Sequence, residues 1–289
     1  RMGKLLTVLL AVVVAVFWNL YTKMDFGKTV YNHGPGKCRQ VHGPVSGSED
    51  IEIVKKEGIA FITSGLLYLQ PHRADIQGKI FMYDFNQKLG SEQLIAQELK
   101  IKGDSFDQNN FHPHGLSHWK IGGIIRLYVV NHSDKFEHSV EVFDFDPSGP
   151  ALIHKNSIKH PSFVRPNDLV AVGPDQFIFT NDGVTQTEFM NTFESLSGYN
   201  GGTVHFFDGK DAHLLLSGQG GSNGIMYDDK NGKLFVAEFL REHISAYDLS
   251  KDKKTATLLS SIPIHSGCDN LFLHGDGTLF TGCHPLLHE

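Results

Sequence analysis

The sequence predicts an all-β protein: a six-bladed β-propeller preceded by an N-terminal apolar helix, with the last blade or blades incomplete. Three observations lead there. Past residue 48 the chain consists mainly of short β-branched and aromatic runs separated by Gly, Asp and Asn, such as "GKIFMYDFN", "GIIRLYVVNH", "SVEVFDFD" and "GKLFVAEF". Long runs of helical period are nearly absent. A unit of about fifty residues also recurs, which is the length of one four-stranded propeller blade.

The N-terminal segment, residues 1–22, differs in kind from the rest of the chain. Arg1 and Lys4 precede "LLTVLLAVVVAVFW", an apolar stretch from Leu5 to Trp18 broken only by Thr7. A charged start followed by an apolar run is the pattern of a secretory signal. The run is short for a membrane anchor, and no small-x-small site follows it closely, so an uncleaved segment is expected. That places the protein in the secretory pathway, extracellular or membrane-associated. The segment would then contact a lipid or lipoprotein surface.

Residues 23–289 form the propeller. With 289 residues and 40% hydrophobic content, the chain can bury a large core. A formal charge of −6, with no basic block longer than "KDKK" at 251–254, excludes nucleic acid as a partner. The three cysteines, Cys38, Cys268 and Cys283, cannot all pair within the chain. The chain stops at "GCHPLLHE" without a closing element, and a missing C-terminal part is expected.

The repeated unit is a polar pair, an apolar strand, a Gly-containing turn and a second apolar strand. The pairs are Glu49-Asp50, His114-Gly115, Asn167-Asp168, Asn223-Gly224 and Asp269-Asn270, at intervals of 46 to 65 residues. In a propeller, each blade begins its innermost strand at the central tunnel, so residues at one phase of the repeat converge on the axis. Five copies of an expected six fit a chain that ends before its last blade, and an unclosed ring leaves a sheet edge exposed.

Glu49, Asn167, Asn223, Asp269 and Asn270 are all oxygen donors. A cage of carboxylate and amide oxygens suits a hard cation, and an irregular cage suits Ca²⁺ better than Mg²⁺. Two carboxylates balance the charge, and three neutral amides leave the ion electrophilic enough to polarise a substrate oxygen. Asp50 and Asp168, one residue further on, point the other way from the pleat and form a second site. The competing reading is simple turn chemistry, since an Asn or Asp before a strand is commonly a turn residue. Five in phase argue against it.

"FHPHGLSHW", residues 111–119, places three histidines close together. His114 occupies the tunnel-facing phase, and His132 ends the partner strand returning to the same end of the blade. His112 and His114 share the H-x-H spacing of a zinc site, but a third nitrogen or sulfur ligand is not evident. His118 reads as structural. A neutral imidazole beside a polarised ester is suited to deprotonate water, because its pKa lies near working pH.

These residues resemble the serum paraoxonases, six-bladed calcium propellers that hydrolyse lactones and aryl esters. The resemblance runs from about residue 38 to 285 and is carried by "GSEDIEI", "GIAFITSGLLY", "FHPHGLS", "VVNH", "NDLVAVGP", "TND", "NGI", "VAEFL", "DN" and "GCHP". It implies two calcium ions. Glu49, Asn167, Asn223, Asp269 and Asn270 would ligate the catalytic one, and Asp50, Asp168 and the Leu116 carbonyl the structural one.

The resemblance further implies that His114 and His132 are the base and proton relay, with Asp269 or Glu49 as alternative bases. Tyr68, Phe239 and His284 would border the substrate pocket. Cys38 matches a cysteine whose partner lies beyond this chain's end, Cys283 matches a free thiol, and Cys268 is unusual beside Asp269. The final "LLHE" departs from the pattern.

A capping box at Thr185 and Glu188 predicts an amphipathic helix over 185–197, with Phe189, Phe193 and Leu196 on one face. The helix is expected to pack on the propeller, and the resemblance makes it part of a lid that meets lipid. The sequon "NHS" at 131–133 falls in the tunnel and is expected to stay unused. The function expected is a calcium-dependent lactonase and arylesterase, with aryldialkylphosphatase side activity as an extension. The alternatives are a membrane-anchored scaffold or chaperone without catalysis, and a non-functional fragment.

Overall fold

A computed structural model describes residues 2–31, 34, 36–66, 76–87, 93–133, 135 and 137–287. Helix α1 (Met2–Lys23) carries the N-terminal apolar run. Nothing in the fold covers it: Leu5, Leu9, Phe17 and Trp18 are all exposed. The helix continues past the apolar run to 22 residues. By length and composition alone it is therefore sufficient to cross a membrane.

The rest is mostly sheet, arranged as blades around an axis. β1 (Val41–His42) precedes the first blade, which is built from β2 (Ile51–Val54), β3 (Ile59–Ser64) and β4 (Lys79–Asp84). β5 (Leu94–Ile95) returns to pair in parallel with β1, and β6 (Gln97–Glu98) completes the blade against β4.

β7 (Lys100–Lys102) leads to the second blade, β8 (Pro113–Ile121), β9 (Ile124–His132), β10 (His138–Asp146) and β11 (Ala151–Ile158), where it pairs in parallel with β11. The third blade is β12 (Pro166–Gly173), β13 (Gln176–Asn181), β14 (Gly202–Phe207) and β15 (Ala212–Gln219), with helix α2 (Glu188–Ser197) inserted between β13 and β14. The fourth is β16 (Ser222–Asp228), β17 (Lys233–Glu238), β18 (His243–Leu249) and β19 (Ala256–Pro263). β20 (Gly267–Leu273) and β21 (Leu279–His284) form one further hairpin.

The described residues thus hold four complete blades and the inner hairpin of a fifth, in line with the expected propeller whose last blades are incomplete. Each repeated unit encodes only the inner hairpin of a blade. The outer two strands come from the segments between units, so five units make four full blades and one hairpin.

The core lies between blades. Phe61, Leu116, Leu127 and Phe143 fill the layer between the first and second, and Tyr128, Leu169, Phe177 and Phe207 that between the second and third. Val170, Ile178, Ile225 and Leu234 fill the next. Strands β3 and β12 are buried at every position because neighbouring sheets cover both faces, whereas the outer strand β19 is exposed along nearly its whole length. A fully buried Phe or Leu contributes roughly 1.5–3 kcal/mol, so these interlayer clusters rather than the hairpins alone hold the blades together.

Turn chemistry sets the registers. Gly122 and Gly123 both have positive φ in the β8–β9 turn, as a two-residue hairpin loop of matching twist requires. In the β12–β13 turn a non-glycine, Asp175, adopts φ 54°. Its carboxylate accepts hydrogen bonds from the Tyr128 hydroxyl and an Arg126 N–H, each at 3.1 Å, which tie the third blade to the second.

Helix α2 begins two residues later than its capping box suggested. Thr187 is the N-cap, without a side-chain cap bond, and the Thr185 hydroxyl instead lies 2.7 Å from both Asn191 and Glu194. The apolar face is not packed on the propeller, since Phe189, Phe193 and Leu196 are exposed. Glu194 is buried and pairs with Arg165. Satisfying that carboxylate turns the helix so that its aromatic face looks outward.

Candidate active site

The five polar pairs meet on the axis in two layers. One faces a cavity of about 1080 Å³, whose lining includes Glu49, His114, Asn167, Asn223, Asp269, Phe239 and His284. The other, made by Asp50 and Asp168, lies behind it and is buried.

The close approach of the inner strands depends on two glycines. A Cβ at Gly115 would stand 2.4 Å from Asp168 Oδ1, and one at Gly224 would stand 2.4 Å from the Asp269 carbonyl. The pairs therefore alternate. Asp50 reaches past Gly115 to accept the Leu116 N–H at 2.7 Å, and Asp168 reaches past Gly224 to accept the Ile225 N–H at 2.8 Å. The other oxygen of each accepts the N–H of the following residue, Ile51 or Leu169, at 2.7 Å. The contact between Leu116 and Asp50 thus runs through the Leu116 N–H. Burial, reinforced for Asp50 by Glu49 and for Asp168 by Asp50, pushes both carboxyls well above their usual range.

The cavity layer is satisfied differently. Asn270 Nδ2 donates to the Glu49 carbonyl at 2.8 Å, joining the fifth hairpin to the first blade. Yet Glu49 Oε2, Asn167 Oδ1, Asn223 Oδ1, Asp269 Oδ1 and Asn270 Oδ1 are buried and have no hydrogen-bond partner. Buried oxygens are rarely left so, and four of these residues, Glu49, Asn167, Asn223 and Asp269, share one phase of the repeat, with Asn270 next to the last. The donor set fits a calcium ion, which takes six to eight oxygen ligands from carboxylates and amides. Among the described residues no group of three or more His, Cys, Asp and Glu side chains is gathered as a metal site. The H-x-H pair therefore gains no such cluster, and the cavity set draws on amides instead.

His114 and His132 come together as the sequence predicts, with His114 Nδ1 2.9 Å from His132 Nε2. His114 Nε2 lies 3.2 Å from Glu49 Oε1. Burial disfavours the charged His114 ring, but Glu49, Asp269 and Asp182 outweigh it and raise its pKa. His132 is held well below the ordinary histidine value by burial and by the imidazoles around it. His112 is positioned by its backbone, which donates to Asn131 Oδ1 at 2.8 Å. Asn131, the sequon residue, is itself buried. His118 pairs with Glu52 at 2.6 Å, away from the cavity.

His284 Nε2 lies 3.6 Å from Asp269 Oδ2, and its ring centroid lies 5.6 Å from that of Phe239. Hydrogen bonding to Asp269 raises the His284 pKa. Tyr68 lies outside the described residues.

The cysteine expectations need correction. Cys283 is not a free thiol but is bridged to Cys268, its cross-strand partner in the β20–β21 hairpin. Direct opposition in one hairpin brings the two side chains together, and the bridge ties the strand position before Asp269 to the one before His284. Cys38 is exposed and unbridged.

Three participants were not found from the sequence. Arg165 and Asp182 pair in the cavity wall. Arg165 also donates to Asn191 at 2.8 Å and Glu194 at 3.2 Å of α2. His138 stands directly opposite His132 on β10, Nδ1 to Nδ1 at 2.8 Å. "RPND" and "NHSDKFEH" carry the signal, a cation beside a polar pair and a histidine returning through a short hairpin.

Comparison with known proteins bears on this arrangement. Among solved structures, a luciferin-regenerating enzyme superposes with TM-score 0.55 at 11% identity, covering 83% of this chain and 70% of its own. The periplasmic gluconolactonase of Pseudomonas aeruginosa superposes with TM-score 0.51 at 14% identity, covering 82% and 65%. At such identities the likeness concerns the fold.

In sequence, human serum paraoxonase/arylesterase 1 is 33% identical over 252 residues, 86% of this chain and 69% of the human protein. Rat serum paraoxonase/lactonase 3 is 31% identical over 98% of this chain and 80% of its own. The family model described as Arylesterase matches residues 29–288, so the match takes in both polar layers, the histidines and the disulfide. On that match the chain belongs to the arylesterase family, as its polar pairs had suggested.

Proposed function

We propose that the protein hydrolyses lactones and aryl esters with the help of a calcium ion held by Glu49, Asn167, Asn223, Asp269 and Asn270. The observation that carries this reading is the set of five partnerless, buried oxygens, one from each of those residues. The names of the paraoxonase, arylesterase and lactonase relatives support the substrate class. Calcium bound there would polarise the ester carbonyl and stabilise the negative charge that develops on its oxygen.

The chain's own groups do the rest. His114 Nε2 faces the cavity next to Glu49 and accepts the proton of the attacking water. His132 holds the opposite nitrogen of that ring and keeps it oriented. Without a cation, Glu49 and Asp269 raise the His114 pKa. A divalent charge among their oxygens would offset that field and favour the neutral imidazole. Phe239 and the wall around it limit water and favour lipophilic acyl groups.

A second ion belongs with Asp50, Asp168 and Leu116. Two buried carboxyls beside each other need a compensating charge, and among the described residues the largest influences on them are burial, other carboxylates and backbone N–H groups. The exposed apolar surfaces of α1 and of Phe189 and Phe193 on α2 suit a lipid or lipoprotein surface. The Cys268–Cys283 bridge suits an oxidising, extracellular setting.

The test is hydrolysis of a lipophilic δ-lactone and phenyl acetate by the purified chain, with calcium and after chelation, alongside a measured calcium content. Turnover that vanishes on chelation and returns with calcium is expected. Turnover indifferent to chelation, or no bound calcium, overturns the proposal.

A further inference from the structure

Four of the polar pairs sit on β-bulges. His114-Gly115 lies opposite the single residue Val130, Asn167-Asp168 opposite Thr180, Asn223-Gly224 opposite Ala237, and Asp269-Asn270 opposite Gly282. A bulge re-aims side chains and interrupts the ladder of hydrogen bonds, so each strand has to be held just ahead of it. The residue before each pair, with its cross-strand partner, is Pro113 with Asn131, Pro166 with Asn181, Ser222 with Glu238, and Cys268 with Cys283.

In three of the four positions the partner is a buried polar side chain that grips the incoming backbone. Asn131 Oδ1 accepts the His112 N–H at 2.8 Å, Asn181 Oδ1 accepts the Val164 and Arg165 N–H groups at 3.1 and 3.0 Å, and Glu238 Oε2 accepts the Gly220 N–H at 2.9 Å. The fourth position differs in kind. Cys283 holds Cys268 through a covalent bond that two electrons can open.

The β20–β21 hairpin also has the least else to hold it. β9, β13 and β17 each pair on their outer side with a third strand, whereas among the described residues β21 pairs only with β20. Phe280, Gly282, Cys283 and His284 of β21 are exposed. Cys268, by contrast, is 1% exposed and packs with Leu271 against Ala237. A thiol arriving from solution therefore meets Cys283 first.

We propose that the Cys268–Cys283 disulfide is a redox-sensitive clamp on the hairpin that carries Asp269, Asn270 and His284, opened by a dithiol reductant. One thiolate of the dithiol attacks Cys283 Sγ, forming a mixed disulfide, and the electron pair of the broken S–S bond leaves with Cys268. The second thiol then attacks the reductant's own sulfur, which closes a cyclic disulfide and releases Cys283. Both cysteines end as thiols, having gained two electrons and two protons in all. The hydrogen-bonded clamps at Asn131, Asn181 and Glu238 are untouched by this exchange. Of the five cavity oxygens, only those of Asp269 and Asn270 lose their support. The consequence for calcium rests on the proposed calcium reading of the site: with two of its five ligands loosened, the ion is held less tightly.

The experiment uses the full chain carrying Cys38→Ser, so that only the bridged pair responds, before and after treatment with dithiothreitol. Counting with a thiol-reactive chromophore should give no thiols before reduction and two per chain after it. Backbone amide hydrogen exchange should quicken in β20 and β21 and stay as it was in β8, β12 and β16. Calcium affinity, measured by competition with a chelator, should fall at least about tenfold, the lower end of what loss of an outer-shell partner costs a metal site, and should return on reoxidation. A further variant with Cys268→Ser and Cys283→Ser should bind calcium like the reduced chain whether or not the dithiol is present.

Two thiols titrating before reduction overturn the inference, as does unchanged exchange in β20 and β21 after it. A reduced chain that binds calcium as tightly as the oxidised one also overturns it. If the oxidised chain binds no calcium, the calcium reading fails on its own, and hydrogen exchange still decides whether the bridge clamps the hairpin.

Discussion

The two polar layers on the axis are built from adjacent residues of the same strands, yet they meet their hydrogen-bonding needs in opposite ways. Asp50 and Asp168 each receive two backbone N–H groups, so their layer is complete in hydrogen bonds and uncompensated in charge. Glu49, Asn167, Asn223, Asp269 and Asn270 carry less formal charge per side chain, yet each leaves a buried oxygen unpartnered. In Glu49-Asp50 and Asn167-Asp168 the first residue faces the cavity and the second reaches the neighbouring strand's N–H groups, whereas Asp269 and Asn270 both leave oxygens unpartnered. A layer short of charge balance accepts a cation as a counter-ion, whereas a layer short of partners accepts one as a ligand sphere.

The largest expected effect breaks the cavity layer. Asp269→Ala should reduce lactone turnover roughly 10³-fold and lower the bound calcium by one ion. Full activity with both ions retained would remove Asp269 from the site.

Next, Gly115→Ala attacks the interlocking on which both layers depend. Its Cβ would lie 2.4 Å from Asp168 Oδ1 and 2.6 Å from the Asp168 Cα, and overpacking against backbone should cost about 3 kcal/mol in denaturant unfolding. A variant as stable as the parent would show that the strands do not approach so closely.

The charge difference is sharpened by pH. The folded pKa values of Asp50 and Asp168 are raised, so their contribution to stability is fully present below the unfolded carboxyl value near 3.9 and is lost as pH rises toward the folded values. His132 and His138 act in the opposite sense. Their values are depressed, so their contribution is present above the unfolded value near 6.5 and is lost as pH falls below it. Above about pH 6.5, the contribution of His132 and His138 is complete, while that of His114, whose value is raised, is lost in the same sense as that of the carboxyls. The stability gap between calcium-saturated and chelated protein should therefore widen with pH, to about 2.7 kcal/mol where calcium is a hundredfold over its Kd. A gap that stays constant or narrows from pH 6.5 to 8, measured by thermal melting, would count against a cation between the two carboxyls.

The smallest effect lies away from the axis. Phe193→Ser on the exposed face of α2 should change stability by less than about 0.5 kcal/mol, while weakening adsorption to phosphatidylcholine vesicles. Unchanged adsorption would separate that face from lipid contact.

Fold class and the cavity layer were legible because both depend on short-range rules: strand alternation, turn residues and the phase of a repeat. Glu49, Asn167, Asn223 and Asp269 share the cavity lining that their phase implies, and Asn270 joins them through Glu49. What stayed hidden depended on register across hairpins. Cys268 meets Cys283, and His132 meets His138, only because particular loop lengths place them opposite one another, and register is not carried by the period-two pattern alone. The outward face of α2 is hidden for a related reason. Apolar spacing identifies a stripe but not which side of the helix a buried Glu194 will claim.

The Arg165 anchor gives α2 an unusual relation to time. A solvent-facing ten-residue helix would ordinarily fray and re-form on its own. Here the guanidinium adjoining Pro166-Asn167 is shared among Asp182, Asn191 and Glu194. Lifting the helix would strand buried charges at the start of β12. Amide hydrogens of α2 should consequently exchange together with those leading into β12, as one slow cooperative unit, so that the roof over the cavity opens only as often as its floor loosens.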